Sequence, residues 1–366
     1  MPRLFLINGQ EIKVSYFLFS FFCLLLVKRR NIFYPSKLLV FFFIFVCTYS
    51  FLLSFIYYDS FGFSDHFFHW VYGAGVVIIV FNLFPFSTER DISLFFQKIW
   101  FILFLCILFN NCNQLDSITN YLKNNLNHPS LTTLVVGGVN SESIFLGLFC
   151  ASFVYTRIRW FILFLSLAVS VFYSSRAGVI SDCITCLFFI FFKQKHLVNK
   201  KFIVIITLFS IILLVVFFTL ISYADTSGNF FSRFISRFSR IGEEPGSIGR
   251  LNMWSYIPEL ISTYPFGVGL GNSLLALKSI SHDMYRESNL HNIYLQMIVD
   301  LGVFCGLLFN CLIFYFLYHE GRNIFCSLIT FFLCSYFFMG LIQFAGGESF
   351  FFFFIGLYLL NKCRKN

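Results

Sequence analysis

Phe202–Ser222 reads FIVIITLFSIILLVVFFTLIS, with Lys200-Lys201 before it and a polar run after it from Tyr223. A bilayer core of about 30 Å is crossed by roughly 20 apolar residues in a helix. This uncharged stretch therefore reads as a membrane span, with a basic end and a long polar exit. Similar stretches recur near 12–27, 38–57, 67–86, 92–109, 143–156, 160–174, 177–192, 292–318, 324–342 and 347–361. The expected fold is an all-α polytopic membrane protein with about 11 transmembrane helices, in a range of 10–12. One large external loop containing short helices completes it. The linear order is N-terminal spans over 1–222, an external loop over 223–291 and C-terminal spans over 292–366.

Composition agrees. Hydrophobic residues make up 58% of the 366 and charged residues 12%, against about 25% charged in soluble domains. So few charges cannot cover a water-facing surface. The 12 cysteines lie mostly inside apolar runs and do not form a disulfide framework. Cys183 and Cys186 have the spacing of a zinc or redox pair, but no second pair or histidine cluster accompanies them. No metal, cofactor or nucleic acid is expected. Nor does a cleavable signal pattern stand out at Met1–Gln10, so the apolar segments themselves carry the targeting information.

Lys and Arg set the orientation, because cytoplasmic loops hold them in excess. Lys28, Arg29, Arg30 and Lys37 share alternate loops with Arg90, Lys98, Arg157 and Arg159. The same side holds Lys193, Lys195, Lys200, Lys201, Arg322, Lys362, Arg364 and Lys365. That side is expected to be cytoplasmic and to include the C-terminus. An odd number of spans would leave the N-terminus outside.

The external loop breaks the rule with Arg233, Arg237, Arg240, Arg250, Lys278 and Arg286. Arg233, Arg237 and Arg240 recur at helical spacing, opposite Phe231, Phe234, Ile235 and Phe238. Such a helix would lie flat in the interface, anchored to anionic headgroups or gripping a lipid-linked diphosphate. Arginine suits both, since its planar fork binds phosphate oxygens in pairs. Farther on, Arg250 precedes Trp254 by one helical turn, which would place an indole beside the guanidinium. Gly267-Val-Gly-Leu-Gly271 follows no strand and opens no βαβ unit, so it is read as a tight turn that lets backbone approach a ligand or the bilayer edge rather than as a nucleotide fingerprint. The loop ends in His291-Asn292 at the outer boundary of the next span. Histidine is suited to accept a proton near neutral pH. Arg176 stands in the polar turn Ser174-Ser-Arg-Ala-Gly178 between two spans, where an ionisable residue faces a cavity or a partner rather than lipid. Asp182 and Asp300, deeper in their helices, would pair with these arginines or meet buried polar groups.

Together these pieces resemble the O-antigen ligase and polymerase family of bacterial multi-span glycosyltransferases. The likeness runs from about Phe172 to Leu308. Ser-Ser-Arg176-Ala-Gly is similar to the family's Ser/Thr-Arg turn. Gly249-Arg250 with Trp254 and Tyr264-Pro-Phe-Gly-Val-Gly269 are similar to the middle of its external loop. His291-Asn292 followed by Gly302 is similar to its closing signature, with Cys305 and Gly306 after it. The resemblance implies transfer of a glycan from undecaprenyl diphosphate to a hydroxyl on the periplasmic face of the inner membrane. It makes His291 the general base and Arg176 and Arg250 diphosphate ligands, with no metal and with inversion at the anomeric carbon. Arg233, Arg237, Arg240, Trp254 and Asn292 are further candidates for substrate contact. The acceptor would be lipid A–core for a ligase or the next lipid-linked repeat for a polymerase, and the His-Asn…Gly spacing favours the ligase. A glycolipid flippase is the reading from another class. It would need basic or polar residues lining a path through several helices, whereas here they gather at the external boundary.

Overall fold

The computed structural model describes residues 3–7, 10–13, 37–62, 64–84, 88–123, 131, 133, 138–192, 245–281, 289–344 and 348–365. The expected spans near 12–27 and 202–222 lie largely or wholly outside these residues. The chain opens on an antiparallel hairpin of β1 (Arg3–Ile7) and β2 (Gln10–Lys13), with Phe5 opposite Ile12 and Leu6 opposite Glu11. This hairpin is the only strand pairing among the described residues, and it includes Ile12 and Lys13, where the expected span near 12–27 would begin.

The helices that follow are α1 (Lys37–Ile56), α2 (Tyr58–Phe61), α3 (Asp65–Leu83), α4 (Glu89–Cys112), α5 (Leu115–Lys123) and α6 (Gly138–Cys150). Next come a 3-10 turn (Ala151–Tyr155), α7 (Arg159–Phe172) and α8 (Arg176–Phe191). The later part holds α9 (Pro245–Ser255), α10 (Ile257–Thr263), α11 (Ser273–Ser281), α12 (Ile293–Glu320), α13 (Leu328–Met339) and α14 (Ser349–Lys365). Among the described residues, three stretches are long and apolar enough to cross a bilayer by length and composition alone: Glu89–Cys112, Gly138–Tyr155 and Ile293–Glu320. Shorter apolar helices accompany them, and their bounds follow the expected spans closely.

Two units divide the chain: Met1–Ser87 with Ile248–Ile324 and Ile329–Asn366, and Thr88–Ser247 with Phe325–Leu328. In the second unit, α4 begins in a capping box in which Thr88 and Asp91 satisfy each other's backbone N–H groups. Glu89 accepts hydrogen bonds from the Ser327 hydroxyl at 2.7 Å and the Leu328 N–H at 3.1 Å. Helices α6 and α8 meet almost backbone to backbone. A Cβ on Gly178 would lie 2.4 Å from the Ser143 Cβ, and one on Gly147 would lie 2.7 Å from the Ser181 hydroxyl. Small residues make this approach possible, and hydroxyls bond across it, as in membrane helix pairs generally. Ser181 donates to the Ile144 carbonyl and Thr185 to the Gly147 carbonyl, each at 2.9 Å.

In the first unit, α3 packs along α14 with the Phe352 ring against Gly73 and Trp70 edge-on to Phe352. The larger surprise is α12. Its 28 residues read as a single long span, but Gly302 (φ 79°, ψ 169°) leaves the helical region and the chain folds back. A Cβ on Gly306 would meet the Ile298 Cα at 2.4 Å, Asn310 donates to the Tyr294 carbonyl at 3.1 Å, and Tyr294 stacks on Phe314. The first two pairs are centred on Gly302 and the third lies close to the same centre, which is the pattern of a helical hairpin. The first arm, 293–301, is about 14 Å long at 1.5 Å per residue, too short to cross. Only the second arm, 303–320, reaches bilayer thickness. The expected span at 292–318 is thus corrected to a short arm plus a crossing arm.

Candidate functional site

The Gly267–Gly271 turn is the wedge that holds this hairpin open at its tip. Gly267 (φ 92°) and Gly302 stand back to back: a Cβ on Gly302 would lie 2.3 Å from the Phe266 carbonyl carbon. Pro265 accepts from the Val303 N–H, and Val268 and Gly269 donate to the carbonyls of Val299 and Asp300. The close backbone approach expected of these glycines is therefore to the protein's own helix. Asp300 is buried and collects three polar groups of this region. Its carboxylate accepts from the Gly271 N–H at 2.7 Å, the Ser273 N–H at 3.2 Å and the Gln296 amide at 2.9 Å. Gln296 also donates to the Ser273 hydroxyl. Asp300 thus caps the start of α11. Of the two alternatives open from sequence, it takes the buried polar one. Asp182 does the same in the second unit, accepting from Ser166 and Ser170 at 2.7 Å each.

At the other end of the short arm, two sequence-predicted residues, Arg250 and Asn292, bond to one turn, Gly340–Gln343, and two more, Trp254 and His291, stand beside them in the chain segments that do so. Arg250, on α9, donates from Nη1 to the Ile342 carbonyl at 2.8 Å and from Nη2 to Gln343 Oε1 at 3.3 Å. Asn292 caps α12 by accepting from the Tyr294 and Leu295 N–H groups. Its Nδ2 donates to the Leu341 carbonyl at 3.0 Å. The Ile293 N–H reaches the Gly340 carbonyl at 2.9 Å. Trp254 donates from its indole to the Leu290 carbonyl at 2.9 Å. His291 lies between these contacts with φ 53°, and its N–H donates to Asn289 Oδ1 at 2.8 Å. Arg250 and His291 are both only partly buried. Thus a guanidinium and an imidazole sit on segments pinned to the same four residues. Two of the five guanidinium donors serve the anchoring bonds.

Arg176 belongs to the second unit, at the start of α8, where Ser175 caps the helix by accepting from the Gly178 N–H. Just before it, Ser174 has φ 50°. Ser175 also donates to Asn140 Oδ1 at 2.8 Å, and the Tyr173 hydroxyl lies 3.1 Å from Asn111 Oδ1 and 3.2 Å from Glu142 Oε2. Glu142 is fully buried. Arg233, Arg237 and Arg240 lie outside the described residues.

Among the described residues no group of three or more His, Cys, Asp and Glu side chains is placed to hold a metal ion. Sequence reasoning missed the Gly340–Gln343 turn, Gln296 and the Glu142–Tyr173 pair. Three of the turn's four residues fall within the span expected at 324–342, whereas the helix ends at Met339, so the only advance signal was the predicted external end of that span. Residues 161–310 match the family model described as O-Antigen ligase, a stretch that includes Arg176, Arg250 and His291. No curated protein and no solved structure matches the chain.

Proposed function

We propose that this chain, which carries a segment of the O-antigen ligase family, moves a glycan from undecaprenyl diphosphate to lipid A–core. The reaction would take place on the periplasmic face of the bacterial inner membrane, with the C-terminus in the cytoplasm. The observation that supports this reading best is that Arg250 and the two residues after His291, Asn292 and Ile293, are anchored on the same Gly340–Gln343 turn. In the reaction, the acceptor hydroxyl oxygen attacks the anomeric carbon and the bond from that carbon to the diphosphate oxygen breaks. His291 takes the hydroxyl proton, and the diphosphate leaves with the electron pair. A single displacement inverts the anomeric centre.

Arg250 meets the charge that grows on the leaving group, and fixed guanidinium donors are effective there because they need no reorganisation during reaction. The resemblance gives Arg176 the same task, and Arg176→Ala tests that assignment separately. Lipid surroundings admit the polyprenyl tail beside a water-accessible edge where the sugar reacts.

Arg250→Lys is expected to lower transfer about tenfold to a hundredfold, because lysine has no fork to hold two anchors at once and hydrogen bonds of charged groups are worth about 1.5–3 kcal/mol each. Turnover measured with purified lipid-linked donor checks this, and an unchanged rate removes Arg250 from the site. The activity class is tested by deleting the gene and running lipopolysaccharide on a gel. A ligase deletion leaves intact core with no O-antigen. Core carrying a single repeat identifies a polymerase instead, and an unchanged long-chain ladder overturns both.

A further inference from the structure

Among the described residues only two non-glycine residues have left-handed backbones, Ser174 and His291. Side chains with a Cβ avoid this region, and exceptions persist only where neighbours over-determine them. The surroundings of His291 show how. The peptide group joining Leu290 to His291 is gripped on both edges: its carbonyl accepts from Trp254 Nε1 at 2.9 Å and its N–H donates to Asn289 Oδ1 at 2.8 Å. The preceding peptide is held too, because the Leu290 N–H donates to Gln296 Oε1 at 3.0 Å. Gln296 has its own orientation fixed by Asp300 and Ser273. Leu290 itself is buried in the core formed by α9, α10, α11 and the short arm of α12. On the far side, the Asn292 side chain caps α12 by accepting from the Tyr294 and Leu295 N–H groups.

We infer that Trp254 and Gln296 are positioning residues for His291: they clamp the peptide planes around Leu290 and hold the imidazole in a conformation it would otherwise leave. This rests on the proposed function, in which His291 is the base. The inference gives Trp254 a role different from substrate contact, because its only polar atom is committed to the backbone beside the base.

A clamp on the base changes the chemical step and leaves donor binding alone. Trp254→Phe keeps the ring and removes only the indole N–H, so kcat is expected to fall about tenfold, the loss of one hydrogen bond. KM for the lipid-linked donor should stay within about twofold. Gln296→Met, which keeps the length but not the amide, should behave likewise. In a His291→Ala background Trp254→Phe should cause no further loss, since residues acting through one group are not additive.

The assay uses the full-length protein in detergent with purified lipid-linked donor, and thermal unfolding is recorded for each variant. A wild-type rate in His291→Ala defeats the proposed function itself. An inactive His291→Ala beside a Trp254→Phe enzyme with unchanged kcat defeats only the clamp. A raised KM at unchanged kcat also defeats it, by making Trp254 a substrate contact. Should Gln296→Met fail to insert, Trp254→Phe carries the test alone.

Discussion

His291→Ala is expected to reduce glycan transfer by about 10²–10⁴-fold, the usual contribution of a positioned proton acceptor. The protein should still insert, because the contacts around this residue are made mainly by its backbone and by its neighbours. Alanine, however, also changes the preference for the left-handed backbone at φ 53°. His291→Asn separates the two effects, since asparagine tolerates that region better than most residues and cannot serve as a base. Both variants should therefore show a near-normal unfolding temperature and comparably low turnover. Long-chain lipopolysaccharide at wild-type levels in either variant would remove His291 from the chemistry.

Gly302→Ala should produce the largest loss of stability. The position has φ 79°, and the added Cβ would sit 2.3 Å from the carbonyl carbon and 2.5 Å from the carbonyl oxygen of Phe266. Those are backbone atoms, pinned by the Pro265–Val303 and Gly269–Asp300 hydrogen bonds, and cannot swing aside. At φ 79° and ψ 169° Gly302 occupies a region essentially reserved for glycine, where another residue costs about 1–3 kcal/mol, and forcing extra volume into a packed site adds about 1–3 kcal/mol. Gly138→Ala supplies the control: its φ is 76°, yet nothing lies within 4 Å of the added Cβ. It should lose only the conformational part. Thermal unfolding in detergent would read the difference. A Gly302→Ala protein that melts with the wild type would mean that the hairpin does not depend on this turn.

The short arm shows why part of this was hidden. Residues 293–320 are predominantly apolar, and hydropathy cannot distinguish one long helix from two arms folded together. Excess length was the only clue, since 28 residues exceed the roughly 20 that a crossing needs. The Arg250–His291 neighbourhood was half legible. Both residues stood out as polar groups at the outer boundary, but the turn that brings them together contains Leu341, Ile342 and Gln343, which carry no signal of their own. The backbone carbonyls of Gly340, Leu341 and Ile342 do most of the anchoring, and every residue has one; Gln343 adds its side-chain oxygen. Asn292 was legible as a polar residue before a span. Its tasks as helix cap and as bridge to Leu341 appear only when the cap geometry is seen.

Sequence alone determined the membrane character, the positions of most described spans and the resemblance of the central segment to a lipid-linked glycan transferase. Hydropathy and motif spacing are local sums, and they survive whatever the chain does elsewhere. Tertiary structure decided that the arm after His291 turns back at Gly302, that Asp300 serves backbone amides, and that His291 adopts a left-handed backbone. Each of these depends on main-chain groups brought close from distant positions. Steric room and hydrogen-bond partners at such contacts belong to the packed chain, and no stretch of residues contains them by itself.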